Sequence, residues 1–283
     1  MLIKKAVNLA CPLDGTALSQ MERQFVCAHG HSFDLAKQGY LNLLPVQHKK
    51  SRSPGDSKEM IEARGRFLNT DVYQPIADQL AKLLNESLPN SGSFCLLDAG
   101  CGEGYYLDFL SAGLDESSLE VSLVGLDISK AAIIAAAKRN KRITWLVASN
   151  KQLPVLPDSV DIVLCMFGFP VYESFAAVLK PGGKIILVEA GQRHLIELRE
   201  LIYAEVKQRV LPALQAAEEC GFALTQQESL CFRTGALQSA QIADLLQMTP
   251  HLYRASQQGK QRMAKLKSID LTVDVSFRVL QLH

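Results

Sequence analysis

Residues 96–106 read Leu-Leu-Asp-Ala-Gly-Cys-Gly-Glu-Gly-Tyr-Tyr, an apolar run that meets an acid and then three glycines at alternate positions. Glycines at 100, 102 and 104 let the backbone turn tightly and approach a ligand with no Cβ in the way. Asp98 precedes the first glycine by two, and Glu103 sits inside the loop. A strand end, a glycine loop and a helix start together make a nucleotide-like binding edge, because loop amides and a helix N-terminus face the ligand.

A second chemical group lies upstream. Cys11-Pro12-Leu13-Asp14 is followed by Cys27-Ala28-His29-Gly30-His31. Two ligand pairs a dozen or so residues apart have the shape of a knuckle-type zinc site. Asp14 stands where a cysteine is usual, and zinc accepts a carboxylate oxygen less often than sulfur or imidazole nitrogen. His31, at the longer spacing from Cys27, is the better fourth-ligand candidate, with His29 as the fallback. Two readings stay open: a zinc site, or a degenerate finger that keeps its fold without metal.

The elements that position these groups follow from hydrophobic periodicity. Residues 94–99 predict a strand and 105–112 a helix; 122–126 predict a strand closed by Asp127, and 130–139 an alanine-rich helix. Strands over 143–148 and 160–165 follow. A short helix over 175–179 is closed by Lys180-Pro181-Gly182-Gly183, before a strand over 184–189. Such alternation means a parallel sheet covered by helices on both faces. A long helix over 195–210, strands over 222–231 and 271–280, and a helix over 239–246 complete the chain. Upstream, a helix from about 57 carries the stripe Met60, Ala63, Arg64, Phe67 and Leu68, and Tyr73-Gln74-Pro75 starts another. Residues 33–46 read as an apolar connector. The chain therefore divides into a zinc-finger-like unit over 1–45, a linker and helical pair over 46–90, and an α/β domain over 91–283. In this frame Asp127, Asn150 and His194 fall at the carboxyl edge of the sheet. A lone histidine there is usually structural, and core packing is the usual role of a tyrosine such as Tyr73.

Composition narrows the class. With 48% hydrophobic and 21% charged residues the chain is an ordinary globular protein. The apolar run at 184–190 is too short to span a bilayer. No apolar h-region follows Lys4-Lys5, so no signal peptide is read and the cytoplasm is the expected location. Seven cysteines, an odd number, do not describe a disulfide framework. The net charge of +1 does not announce a nucleic-acid binder. Basic residues nevertheless cluster at 48–52, 138–142 and 260–267, each of which alone reads as a solvated face.

Asp98-x-Gly-x-Gly-x-Gly resembles motif I of the class I S-adenosylmethionine (SAM) methyltransferases. Its third glycine comes one residue earlier than in the G-x-G-x-x-G dinucleotide loop. Asp127 and the Leu179-Lys180-Pro181-Gly182-Gly183 turn fit the same order. The resemblance implies a Rossmann-like, seven-stranded, mostly parallel sheet. It places Gly100, Gly102 and Gly104 against the methionine part of SAM, Asp127 on the ribose hydroxyls and Asn150 near the adenine. Asp98 then holds either the loop amides or the amino acid moiety.

The resemblance narrows when the N-terminal half is included. Cys11-Pro12-Leu13, Cys27 to His31, residues 39–49, Ser53-Pro54-Gly55-Asp56-Ser57, Tyr73-Gln74-Pro75, Arg193-His194-Leu195 and Leu246-Gln247-Met248-Thr249-Pro250 are similar to the bacterial 23S ribosomal RNA (guanine-N1-)-methyltransferases. That family joins a zinc finger to a class I domain. It implies methylation at N1 of a guanine in a hairpin loop of 23S rRNA, SAM contacts from Tyr73, Gly102, Glu103 and His194, and metal ligands at Cys11, Asp14, Cys27 and His31. It also implies a homodimer whose two N-terminal units form a cleft for RNA. The basic segment around 48–52 would grip phosphates. The chain departs from the family at Asp14, where the family has cysteine, and over 165–170. A methyltransferase acting on a small molecule is the alternative that fits the near-neutral charge. A non-catalytic RNA-binding relic is disfavoured by the intact glycine loop and Asp127.

Overall fold

The computed structural model describes residues 3–48, 54–114, 119–249 and 256–283. The basic residues at 49–52, expected to grip RNA, lie outside the described residues, as do Ser53 and Pro250. Strands β1 (Leu18–Met21), β2 (Gln24–Cys27) and β3 (Ser32–Asp34) form a small antiparallel sheet. Strand β4 (Tyr40–Asn42) leaves that unit and joins the main sheet. Helices α1 (Lys58–Leu68) and α2 (Gln74–Asn85) follow, α1 capped by the Ser57 hydroxyl accepting from the Met60 amide. The alternating region comprises β5 (Ser93–Ala99), α3 (Tyr105–Leu114), β6 (Glu120–Asp127), α4 (Lys130–Arg139), β7 (Thr144–Val147), β8 (Val160–Met166), α5 (Tyr172–Val178) and β9 (Leu179–Ala190). The remainder holds α6 (Ile196–Ile202), α7 (Gln215–Glu219), β10 (Phe222–Gln238), α8 (Ser239–Gln247), α9 (Gln257–Ala264) and β11 (Ser268–Leu282).

The main sheet runs β10-β11-β9-β8-β5-β6-β7-β4, with β11 antiparallel to both neighbours and the other pairings parallel. The expected seven strands are β5 to β11. The eighth, β4, comes from the stretch read as a connector: Tyr40 and Leu41 pair with Trp145 and Leu146 and are 6% and 2% exposed. Burying those two side chains on a free sheet edge is what turns a connector into a strand. Alternate residues of β5 enter two cores, Leu96 beneath α1 to α4 and Leu97 against α5, α7 and residues 6–18.

Trp145 sets the spacing around the glycine loop. It is 1% exposed, and its indole Nε1 donates to the Asn140 carbonyl at 2.7 Å. Gly125 of β6 pairs with it, and a Cβ on Gly125 would fall onto the ring. A Cβ on Gly104 would stand 2.7 Å from Trp145 Cη2 and 3.0 Å from the Ala136 Cβ. Gly104, expected to make room for a ligand, makes room for the tryptophan instead.

Three expectations change in extent. The helix predicted over 195–210 stops at Ile202, because no side chain at 203–210 is buried and helical propensity without a face to bury does not hold a helix. The Lys180–Gly183 turn lies within β9, where the pairing with β8 shifts register between Val160 and Ile162. Strands β10 and β11 exceed their predicted lengths because they pair with each other from Phe222↔Leu282 to Gln238↔Ser268.

The Trp145 packing yields a test. Gly125→Ala overpacks the ring and should cost about 1–3 kcal/mol, read as a lower urea midpoint at unchanged m-value.

Candidate active site and metal centre

Four strand ends converge on one cavity of about 470 Å³. Asp98 and Ala99 close β5, Asp127 closes β6, Ser149 and Asn150 follow β7, and Phe167 to Phe169 follow β8. This is the carboxyl edge of a parallel sheet, where open α/β folds bind ligands. The Gly100 and Cys101 amides both donate to the Leu126 carbonyl at 2.9 Å, which pins the glycine loop to β6. The Gly102 amide donates to Asp127 Oδ2 at 3.0 Å and the Ser129 amide to Oδ1 at 2.7 Å. The loop-holding role considered for Asp98 thus belongs to Asp127.

The cavity is rich in buried acid. Asp98 is 1% exposed, and burial, reinforced by the nearby Asp127 charge, pushes its carboxyl up to about 7. Burial also raises Asp127, partly offset by the two amides, and raises Glu103 against the pull of Arg139. Glu103 Oε2 pairs with Arg139 at 2.7 Å. Asp98 Oδ1, Glu103 Oε1 and the Tyr106 hydroxyl are buried without a hydrogen-bond partner among the described residues. All three residues line the cavity, and buried polar atoms normally have partners. Two orphaned acceptors and a hydroxyl fit a ligand that brings ammonium and hydroxyl donors and positive charge, and SAM carries all of these.

The other expected residues are distributed around this centre. Gly100 and Gly102 line the cavity; Gly104 faces the core. Asn150 Nδ2 donates to the Ala99 carbonyl at 3.4 Å across the β5–β7 gap. Tyr73 and His194 are not among the lining residues; His194 stands one ring behind Phe167, and Tyr73 stands behind His194. The His194 ring lies 6.3 Å from Tyr73 and 6.1 Å from Phe167, and its Nδ1 accepts from the Asp274 amide at 3.4 Å. Phe167, held at φ +52° where non-glycine residues are uncommon, is thus backed by an aromatic wall. Sequence reasoning missed Asp56, Arg64 and Phe169. Arg64 pairs with Asp56 at 2.6 Å, and Gly102 carries no Cβ where the guanidinium approaches. Its signal was a charge inside the apolar stripe of α1. Phe169, 89% exposed at the cavity mouth, lies in the segment that departs from the family.

At the base of the β1–β2 hairpin, Cys11, Asp14, Cys27 and His31 place one ligand atom each within 4.8 Å of one another. His31 Nδ1 is 3.5 Å from Cys11 Sγ, 3.4 Å from Cys27 Sγ and 2.9 Å from Asp14 Oδ2. Tetrahedral zinc with bonds of about 2.0–2.3 Å spaces its ligand atoms about 3.3–3.8 Å apart. The two His31–sulfur distances match that spacing, the His31–Asp14 contact is shorter, and the donor set of two thiols, a carboxylate and an imidazole suits the ion. The Thr16 hydroxyl and amide, at 2.6 and 2.9 Å, hold Asp14 well below the usual carboxylate range, so it is presented as an anion. His29 stands 3.0 Å from Asp14 but outside the quartet.

Sheet order, glycine loop and carboxyl-edge cavity define a class I SAM-dependent methyltransferase, here carrying an N-terminal zinc ribbon. The [4+2]-cyclase SpnF shares the fold, with a TM-score of 0.50 and 16% identity over 82% of this chain and 99% of its own. A family model described as "RlmA, N-terminal" matches residues 9–52, and one described as "Methyltransferase domain" matches residues 96–183. The Bacillus subtilis (strain 168) protein named "Putative 23S rRNA (guanine-N(1)-)-methyltransferase YxjB" is 31% identical over 98% of this chain and 99% of its own. The 23S rRNA (guanine(748)-N(1))-methyltransferase of Streptomyces fradiae is 30% identical over 67% of this chain and 66% of its own. The chain belongs to the 23S rRNA (guanine-N1-)-methyltransferase family.

Two outcomes follow. Folded Asp98 holds its proton up to about 7, whereas an unfolded aspartate releases it near 3.9. The folded state therefore binds more protons across that window, and unfolding free energy falls as pH rises through it. Asp98→Asn should flatten that fall, measured by urea unfolding between about pH 5 and about pH 8. Asp14→Ala should lower zinc content measured by elemental analysis, and Asp14→Cys should restore it.

Proposed function

We propose that this enzyme transfers the methyl group of SAM to N1 of a guanine in a hairpin loop of 23S ribosomal RNA, the sulfur leaving with the C–S bonding pair as neutral S-adenosylhomocysteine and the N1 proton passing to water. The observation that carries the reading is the acidic, partner-poor cavity in a chain that aligns end to end with a relative named for this activity. Bound SAM supplies a methyl group already activated by the sulfonium charge, so the protein's task is chiefly alignment and charge complementarity. Asp98 and the Gly100 and Gly102 backbone receive the amino acid end. Asp127 uses its remaining lone pairs for the ribose hydroxyls, since each carboxylate oxygen accepts more than one bond. Asn150 borders the adenine. Glu103, fixed by Arg139, closes the floor, while His194, backed by Tyr73, holds Phe167 from behind.

Phe169 presents its ring at the mouth, where an unstacked base from an RNA loop arrives. A looped-out guanine exposes its Watson–Crick edge, and stacking on an aromatic ring fixes the plane in which N1 meets the methyl group. The ribbon contributes RNA contacts, and the protein acts as a homodimer with two such units flanking the RNA, in the cytoplasm where ribosomal RNA is made.

The deciding experiment is SAM turnover on unmethylated 23S rRNA, with the product nucleoside identified by mass spectrometry. N1-methylguanine is expected, and Phe169→Ala should lower kcat/KM for RNA at least tenfold with SAM affinity unchanged. Methylation of a small acceptor with none on rRNA would replace this reading with the small-molecule one.

A further inference from the structure

A second cavity, of about 260 Å³, opens at the opposite end of β7 from Asn150. Its walls come from four separate stretches: Lys5 and Ala6, the tip of the β1–β2 hairpin, the β3–β4 turn, and Lys141 with Thr144 at the start of β7. Three lysines, Lys5, Lys37 and Lys141, line it, and no aspartate or glutamate does. Lys37 and Lys141 have no ion-pair partner among the described residues. Lys5 donates to the Ile143 carbonyl at 2.6 Å. The floor is apolar, formed by Phe25, Leu35 and Leu41.

This convergence is tertiary. The three lysines are far apart in sequence, and each is fixed by a different piece of backbone. Lys5 follows Lys4, whose backbone bridges in parallel to Ser122. Lys37 lies in a turn closed by the Ala36 amide on the Tyr40 carbonyl at 2.9 Å. Lys141 belongs to the basic run at 138–142, in which Arg139 is committed to Glu103. Three like charges around one small cavity repel each other, and an anion that enters between them relieves that repulsion. The apolar floor adds a surface on which a flat ring can lie. Whole drug-sized ligands occupy cavities of about 300–1,000 Å³, so this one suits a single nucleotide unit.

We infer that this cavity is an RNA-anchoring subsite, in which Lys37, Lys141 and Lys5 hold a backbone phosphate and Phe25 stacks the attached base. The inference rests on the reading of the chain as an rRNA methyltransferase and goes beyond it by placing a contact far from the reacting guanine. The geometry gives the hairpin two duties. Its base, where Cys27 pairs with Leu18, carries the metal ligands, and its tip, where Phe25 pairs with Gln20, forms the cavity wall. A metal ion held at the base would keep the tip in register.

The test measures binding of an unmethylated 23S rRNA transcript by the full chain at several salt concentrations, beside SAM affinity and turnover. Lys37→Gln and Lys141→Gln should each weaken RNA binding severalfold and reduce the slope of log K against log salt by about 0.7 per lysine. Phe25→Leu, which keeps apolar volume but removes the ring face, should weaken binding about fivefold with the slope unchanged. SAM affinity stays as in the natural protein for all three. Lys82→Gln, on α2 and 58% exposed, is the charge control and should have little effect. Equal losses from Lys82→Gln and the cavity variants, or natural RNA affinity in the cavity variants, would overturn the subsite. A natural protein that methylates no 23S rRNA would overturn the functional reading itself, and the subsite with it.

Discussion

Trp145 occupies the space that Gly104 and Gly125 leave empty, and the rest of the site hangs on that fit. The ring fills the gap between the glycine loop, β6 and α4, with Ala136 as the small residue that α4 contributes. A Cβ at either glycine would push the loop away from the strand it is pinned to. Removing a buried tryptophan side chain typically costs about 3–5 kcal/mol. Here the loss would also free the loop amides from the Leu126 and Asp127 acceptors that aim them. The same strand extends the constraint outward, because Tyr40 of β4 pairs beside Trp145 and ties the ribbon unit to the sheet.

The cavity above that wedge is an electrostatic arrangement suited to a cationic ligand. Asp56, Asp98, Glu103 and Asp127 line it, while Arg64 and Arg139 already answer Asp56 and Glu103. Asp98 is left with burial and a neighbouring negative charge, both of which oppose its ionisation. A ligand with a sulfonium and an ammonium removes that opposition. A hydride-transferring dinucleotide, anionic at its pyrophosphate, would add to it. Charge therefore separates the two cofactor classes as firmly as the spacing of the glycines does.

The ribbon is built into the catalytic sheet rather than hung on a tether. Residues 3–10 run along it, with Lys4 bridging to Ser122 and Leu9 to Val155, and β4 completes its edge. Cys11, Leu18 and Cys27 enter the same buried cluster as Leu97 and Leu126. The hairpin is thereby held at a fixed position relative to the cavity at the other end of β7.

Much of this protein was legible in its residues. Local rules are enough to read alternating βα periodicity, a glycine loop, an acid at the end of the second strand and paired metal-type ligands, because each depends on neighbours in sequence. The motif resemblance likewise named the four residues that the fold brings together as a candidate metal site, Asp14 included. What local rules do not reach is which groups meet across the fold. Asp127, not Asp98, holds the loop amides, because only packing decides which carboxylate is left without a donor. Residues 40–42 become a strand because a sheet edge is there to receive them, and the helix after Ile202 ends because nothing receives it. Lys141 reads as part of a solvated basic run until the fold brings it to one cavity with Lys5 and Lys37. Sequence determined the chemistry available; tertiary structure decided which buried charges keep partners and which await a ligand, because desolvation depends on what surrounds a group in space.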